Sequence, residues 1–300
     1  MIAKIAALIA GCLLLVMPVV AADFGDSLVI VFSGGMRGRA DGCGCSSGPQ
    51  GGLDRRTTIL KQHLGAAPYF ALDCGGILDL DPDGGLLRSK CTIKGLAREN
   101  LKAIAVSSRD LFYGTKFLSD VAAETGVELL SLNIVQSLNR EATLYRQWLT
   151  IPFNNRLIAV TGITSPVQPR SGMESNAWLT LSPDSLGHQL EKERIPAADV
   201  TVLLTDLDEA SLRRLLGGVS VFDIAITSSP QVYSATPFRV GKCVVLHPEN
   251  SGRAFDALVV PPAGGSQGIR FISQPIARST VPDAGTAAWL KECLRSPPIK

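Results

Sequence analysis

The chain has 300 residues, the length of one large domain or two ordinary ones. It is 46% hydrophobic and 19% charged, with 29 glycines and 18 prolines, a turn-rich globular composition that excludes a disordered chain. A net charge of +2 excludes the electrostatic footprint of a nucleic-acid binder, and a total of 3 histidines (His63, His188, His247) excludes a histidine-rich metal centre.

Lys4 precedes an apolar run over 5–20, which closes on Val20-Ala21-Ala22 before Asp23. This predicts a secretory signal over 1–22 and a single exported domain over 23–300, periplasmic or extracellular. The run is short for a membrane span, and no later segment is long enough for one. Ile9-Ala10-Gly11-Cys12 resembles a lipoprotein cleavage box, the lesser alternative, because strongly apolar sequence follows Cys12.

The first predicted strand is 28–32, a continuous β-branched run buried on both faces. A glycine-rich loop over 33–52 leads into a helix over 53–64 that Gly65 stops. A strand over 69–72 ends at Asp73-Cys74-Gly75-Gly76. Asp79, Asp81 and Asp83 then suggest a calcium loop, but the closing Glu is missing and Pro82 breaks the pattern, so an acidic surface loop is expected. A helix over 92–102 and a strand over 103–106 follow, then a helix over 116–125 and a strand over 128–132. Two strands over 144–151 and 156–163 flank the turn Asn154-Asn155. Next come a helix over 184–194, a strand over 199–204, a helix over 209–216 and a strand over 223–227. Short strands over 238–240, 243–247, 257–260 and 270–272 precede a closing helix over 286–294. Repeated strand–loop–helix units predict an α/β fold of mostly parallel sheets covered by helices. Its functional loops would gather at the carboxyl ends of the strands, in 33–52, 73–90, 107–113, 205–208 and 227–232. Trp148, Trp178 and Trp289 are scattered, and core packing is their default role.

With Cys12 removed, six cysteines remain: Cys43, Cys45, Cys74, Cys91, Cys243 and Cys293. An even count in an oxidising compartment favours disulfides. Cys43, Cys45 and Cys74 lie on loops expected to meet. They would form one or two bridges, drawing in Cys91, or bind a soft metal, or exchange thiols. Cys243 with Cys293 is a second expected bridge.

Three stretches carry a family likeness: Phe32-Ser-Gly-Gly-Met-Arg-Gly38, Cys43-Gly-Cys45 and Gly51-Gly-Leu-Asp-Arg-Arg56. Leu72-Asp-Cys-Gly-Gly76, Leu132-Asn-Ile134 and Arg156–Thr164 continue it in order. Together they resemble the calcineurin-like metallophosphoesterases, in particular the amino-terminal domain of bacterial 5'-nucleotidases. The resemblance covers nearly the whole chain after the signal and implies a four-layer αββα sandwich, with Gly51-Gly52 serving close packing where the helix begins. The separate carboxyl-terminal substrate domain of many 5'-nucleotidases is not expected here. The family chemistry uses two metal ions to bind a phosphate ester and generate a hydroxide. Carried over residue by residue, the ligand positions read Gly35, Arg37, Gly76, Ser108-Arg109-Asp110, Asp206, and Ser229 with Gln231. Glycine supplies no ligand, and arginine repels a divalent cation. None of the three histidines falls at a ligand position.

Three functions follow as expectations. The first is a catalytically degenerate binding or interaction module with no cofactor, taking a protein partner or a small anion. Arg37 and Arg109, aided by loop amides around 34–38, would make the anion pocket. The alternative for each arginine is a local pair with Asp41, Asp73 or Asp110. The second is a metal-dependent phosphoric ester hydrolase whose atypical centre uses Asp73, Asp110 and Asp206 with a divalent metal. The third is a cysteine-based metal- or thiol-handling protein.

Overall fold

The computed structural model describes residues 24–43, 50–167, 178–192, 195–230, 236–262 and 268–297. The signal segment with Cys12, and also Cys45 and Gln231, lie outside the described residues.

The first half runs β1 (Leu28–Ser33), α1 (Leu53–Leu64), β2 (Phe70–Asp73), α2 (Gly85–Arg98), β3 (Leu101–Ala105), α3 (Lys116–Thr125), β4 (Glu128–Leu130) and a short β5 (Ile134–Gln136). The chain continues through β6 (Trp148–Phe153), β7 (Arg156–Ile163), β8 (Trp178–Thr180), α4 (Pro183–Lys192), β9 (Val200–Thr205), α5 (Glu209–Gly218) and β10 (Ile224–Thr227). It closes with β11 (Phe238–Val240), β12 (Cys243–Leu246), β13 (Ala254–Val260), β14 (Arg270–Pro275) and α6 (Ala284–Cys293).

Two six-stranded sheets carry the fold, in the orders β14-β13-β1-β2-β3-β4 and β11-β12-β10-β9-β7-β6. In the first, β1 to β4 run parallel and β13 and β14 add antiparallel pairs on one side; in the second, β12, β10, β9 and β7 run parallel between antiparallel edge strands β11 and β6. Alternation along β1 shows why two sheets pack with helices outside them. Leu28, Ile30 and Phe32 join Val160, Val202, Leu204 and Ile226 of the other sheet in one buried cluster. Val29 and Val31 turn the opposite way, against Leu53, Ile59 and Leu60 of α1 and Ile93 and Leu96 of α2. On the second sheet, Leu203, Ala225 and Val245 pack against Leu186 of α4 and Leu212 and Leu215 of α5. The order of layers is helix, sheet, sheet, helix, a mixed-sheet α/β fold as the resemblance implied.

Local chemistry sets the boundaries. Helix α1 occupies the expected 53–64, and its approach needs glycine: a Cβ on Gly51 would lie 2.3 Å from the Gly252 carbonyl oxygen. Asn154 and Asn155 have φ of 44° and 58°, the left-handed pair that lets a two-residue turn join β6 to β7. The helix expected over 92–102 is instead α2, which begins at Gly85 and ends at Arg98. Asn100 sits at φ 63°, a helix-ending conformation, and Leu101 already belongs to β3. Strands β5 and β8 escape sequence reading because each has three residues and they pair with one another across more than forty positions. The 78–85 stretch is a surface turn: Arg88 holds Asp79 at 2.7 Å and Asp81 at 2.8 Å. Trp178 is buried, Trp148 stacks on Phe222, and Arg98 lies over Trp289.

The cysteine pairing differs from expectation. Cys91 on α2 bonds Cys293 on α6, so Cys293 is not joined to Cys243. Cys74, in the loop just after β2, and Cys243, on β12, are buried thiols. Cys91 belongs on the outer helical layer because α2 and α6 pack together there, a pairing between segments that linear spacing does not indicate. Among the described residues no helix is long and apolar enough to cross a membrane.

Candidate functional site

The carboxyl ends of β1, β2, β3, β7, β9, β10 and β12 point the same way, and the residues just beyond them form one loop cluster. In that cluster the loops after β1 and β2 run side by side and bond each other. Gly35 N–H donates to Gly75 O at 2.7 Å, Arg37 N–H to Gly76 O at 3.0 Å, and Gly38 N–H to Ile77 O at 2.7 Å. The two backbones touch closely enough that a Cβ on Gly76 would sit 3.1 Å from Gly35 Cα, and Gly76 has φ 74°. Beside them, a Cβ on Gly34 would lie 2.3 Å from Cys74 Sγ. The amides of Gly35, Arg37 and Gly38, three of those in the stretch expected to aid an anion pocket, are thus occupied by facing carbonyls.

Every carboxylate of the cluster holds backbone. Asp110 accepts five hydrogen bonds: from the amides of Gly76, Ile77, Leu78 and Ser107 and from the Ser107 hydroxyl. Asp206 accepts from Ser108 N–H at 2.7 Å and Ser165 N–H at 2.6 Å, tying the loop after β3 to those after β7 and β9. Asp73 accepts from the Ser33 hydroxyl at 2.6 Å and Gly75 N–H at 2.8 Å. Burial pushes the Asp73 carboxyl up to about 6 and raises that of Asp110, against the donors that hold both down. Asn133, from the motif after β4, is equally committed: its amide bridges the carbonyls of Thr164 and Leu181.

Arg37 is exposed and Arg109 half-buried. The Arg109 Nε–H donates to Leu78 O at 2.8 Å. Neither arginine forms the expected ion pair with Asp73 or Asp110, because backbone and hydroxyl donors already surround those carboxylates. Asp41 is on the surface, and among the described residues it joins neither arginine in an ion pair. Cys74 is fully buried, its thiol raised well above the usual value by burial and then by Asp73, and its Sγ–H donates to Ser33 O. Gln50 N–H donates to Cys43 Sγ at 3.3 Å.

The cluster also contains one residue that sequence reading left out. His247, just past β12, places Nε2 at 2.8 Å from Ser229 O, and burial lowers its proton affinity. Its neighbour Pro248 lies against Gly34. The signal for it was its position at a strand end. His63 sits elsewhere, stacked on Phe255.

Two face-to-face mixed sheets, helices outside and loops converging at the carboxyl ends define a class: the chain has the metallophosphoesterase fold. It is similar to the sulfate thiohydrolase SoxB of Thermus thermophilus, with a TM-score of 0.75 and 18% identity over 91% of this chain and 61% of that one. It is also similar to a 5'-nucleotidase precursor of Thermus thermophilus (TM-score 0.68, 16% identity, 89% and 57% covered) and the calcineurin-like phosphoesterase YfkN of Bacillus subtilis (TM-score 0.65, 13% identity, 89% and 98% covered). The chain spans about three fifths of the length of the first two. At these identities the likeness is one of fold. No protein-family profile and no curated protein sequence matches the chain.

That fold implies a two-metal centre, and the residues present do not fit one. Such a centre needs carboxylates and neutral imidazoles converging on shared space. Here Gly35 and Gly76 bring their backbones together in that space, Arg37 and Arg109 bring cations, and Asp73, Asp110 and Asp206 are each bonded to loop amides or hydroxyls. Among the described residues no group of three or more His, Cys, Asp or Glu side chains is placed to hold a metal ion.

Proposed function

We propose that this chain is an exported protein that has kept the metallophosphoesterase scaffold and lost the hydrolytic reaction, and that it acts by binding a small anion or a protein partner. The observation that carries this reading is the ladder between the loops after β1 and β2. It fills with backbone the place from which two ligand side chains would extend. The carboxylates support the same reading, since freeing Asp110 for a metal would strip acceptors from four buried amides. The Cys91–Cys293 disulfide and the apolar run before Asp23 support export to an oxidising compartment.

The test is elemental analysis of protein purified without chelators, run beside a phosphomonoesterase assay with added Mn²⁺. The expected result is no stoichiometric metal and no turnover above the buffer rate. Stoichiometric metal with turnover that Asp110→Ala abolishes, in a protein that remains folded, sinks the proposal and restores the hydrolase.

A further inference from the structure

Arg37 and Arg109 hang from one short stretch of backbone. The Arg37 N–H is bonded to Gly76 O and the Arg109 Nε–H to Leu78 O, two residues further along. Burial and then Arg37 lower the proton affinity of Arg109, while Asp110 and Asp79 raise it. The carboxylates within reach are committed, Asp73 and Asp110 to amide and hydroxyl donors and Asp79 to Arg88. Among the described residues neither Arg37 nor Arg109 forms an ion pair. Arg37 also holds φ 51°, a left-handed conformation that a side chain resists, at an exposed position with no packing reason for arginine.

We propose that Arg37 and Arg109 together bind a tetrahedral, doubly charged oxyanion: free sulfate, free phosphate or a phosphate monoester. This rests on the reading that no metal centre exists here, and gives the cluster a ligand in its place. The planar fork of each guanidinium matches two oxygens of such a group, and an anion between the forks cancels their repulsion. Six of the neighbouring amides are already committed, those of Gly35, Arg37 and Gly38 to the facing carbonyls and those of Gly76, Ile77 and Leu78 to Asp110. Recognition therefore depends chiefly on the two forks. Phosphate and sulfate should bind with similar strength, and lysine should not replace either arginine.

The experiment is calorimetric titration of the full chain in EDTA with sodium phosphate, sodium sulfate and phenyl phosphate. Saturable, chelator-resistant binding is expected. It should weaken at least tenfold in Arg37→Gly and in Arg109→Gln, stay weak in Arg37→Lys and persist in Arg140→Ala, which alters an exposed arginine outside the cluster. Equal affinity for phosphate and phenyl phosphate supports the site with the free ion as ligand. Tighter binding of phenyl phosphate supports it with an ester as ligand. Arg37→Gly suits the left-handed backbone and decides the matter even if Arg109→Gln fails to fold. Absence of saturation by all three probes, or unchanged affinity in Arg37→Gly, overturns the anion site. If turnover of phenyl phosphate with Mn²⁺ is also absent, the non-hydrolytic reading still stands. Binding that needs added Mn²⁺ and leads to turnover overturns both.

Discussion

Asp73 and Asp256 are two buried carboxyls whose environment governs their charge. Burial pushes each up to about 6 from an ordinary 3.8. A group held above its unfolded value binds its proton more tightly in the folded chain. The stability this contributes is complete below pH 3.8 and is lost as pH rises toward 6, about 3 kcal/mol for each group by the size of the shift. Thermal unfolding followed between about pH 6.5 and 4 should show stability rising as the pH falls. Asp73→Asn should flatten that rise, because an amide can accept from Gly75 N–H and donate to the Ser33 oxygen. A steeper rise in the variant would contradict this account. At the same scale, Gly76→Asp restores the side chain type that the family resemblance places there. Its Cβ would meet Gly35 Cα at 3.1 Å on a backbone at φ 74°. The expected outcome is a loss of about 2 kcal/mol or more, read from the urea midpoint, with no gain of Mn²⁺ affinity.

Among the elements, α6 depends most on a single covalent tie. Its inward face offers Leu290 as its buried residue, and Asp283 caps its first turn by accepting from Thr286 N–H. The Cys91–Cys293 bond fastens it to α2 across a sequence separation of 202 residues. Bridging so long a loop restricts the unfolded chain strongly, and its loss should cost about 2–4 kcal/mol. A reductant, or Cys293→Ser without reductant, should lower the unfolding temperature by matching amounts. A reductant effect that persists in Cys293→Ser would place the sensitive bond elsewhere. Buried Arg56 on α1, paired with Glu99 after α2 at 2.8 Å, couples the same layer from within. Breaking one partner there would strand the other charge.

For the whole molecule, the scaffold and the site have separated. The two-sheet core, with β1 alternating between layers, is what a functioning member of this fold requires. Its loop cluster is instead closed by backbone hydrogen bonds and by carboxylates turned toward amides. Several residues at the positions the family resemblance marks as ligands have a structural use here. Glycines let the loops approach, Asp110 gathers the amides of 76–78, and Asp206 joins three loops.

The residue pattern alone determined the layers. The continuous apolar run of β1, the glycine stop of α1, the paired asparagines before β7 and the ordered loop motifs are local signals, and each led to the right element or fold. Periodicity misplaced α2 by several residues, since the run over 92–102 is apolar enough to continue a helix that Asn100 in fact ends. The sequence also showed the residue types at the positions the family resemblance marks as ligands, because residue identity at a motif position needs no coordinates. Only the tertiary structure decided what those residues contact. That Gly35 and Gly76 meet, that Asp110 and Asp206 face amides, that His247 joins the cluster and that Cys91 reaches Cys293 are contacts between segments tens to hundreds of residues apart. Such contacts are fixed by the packing of the two sheets and leave no periodic trace in the chain.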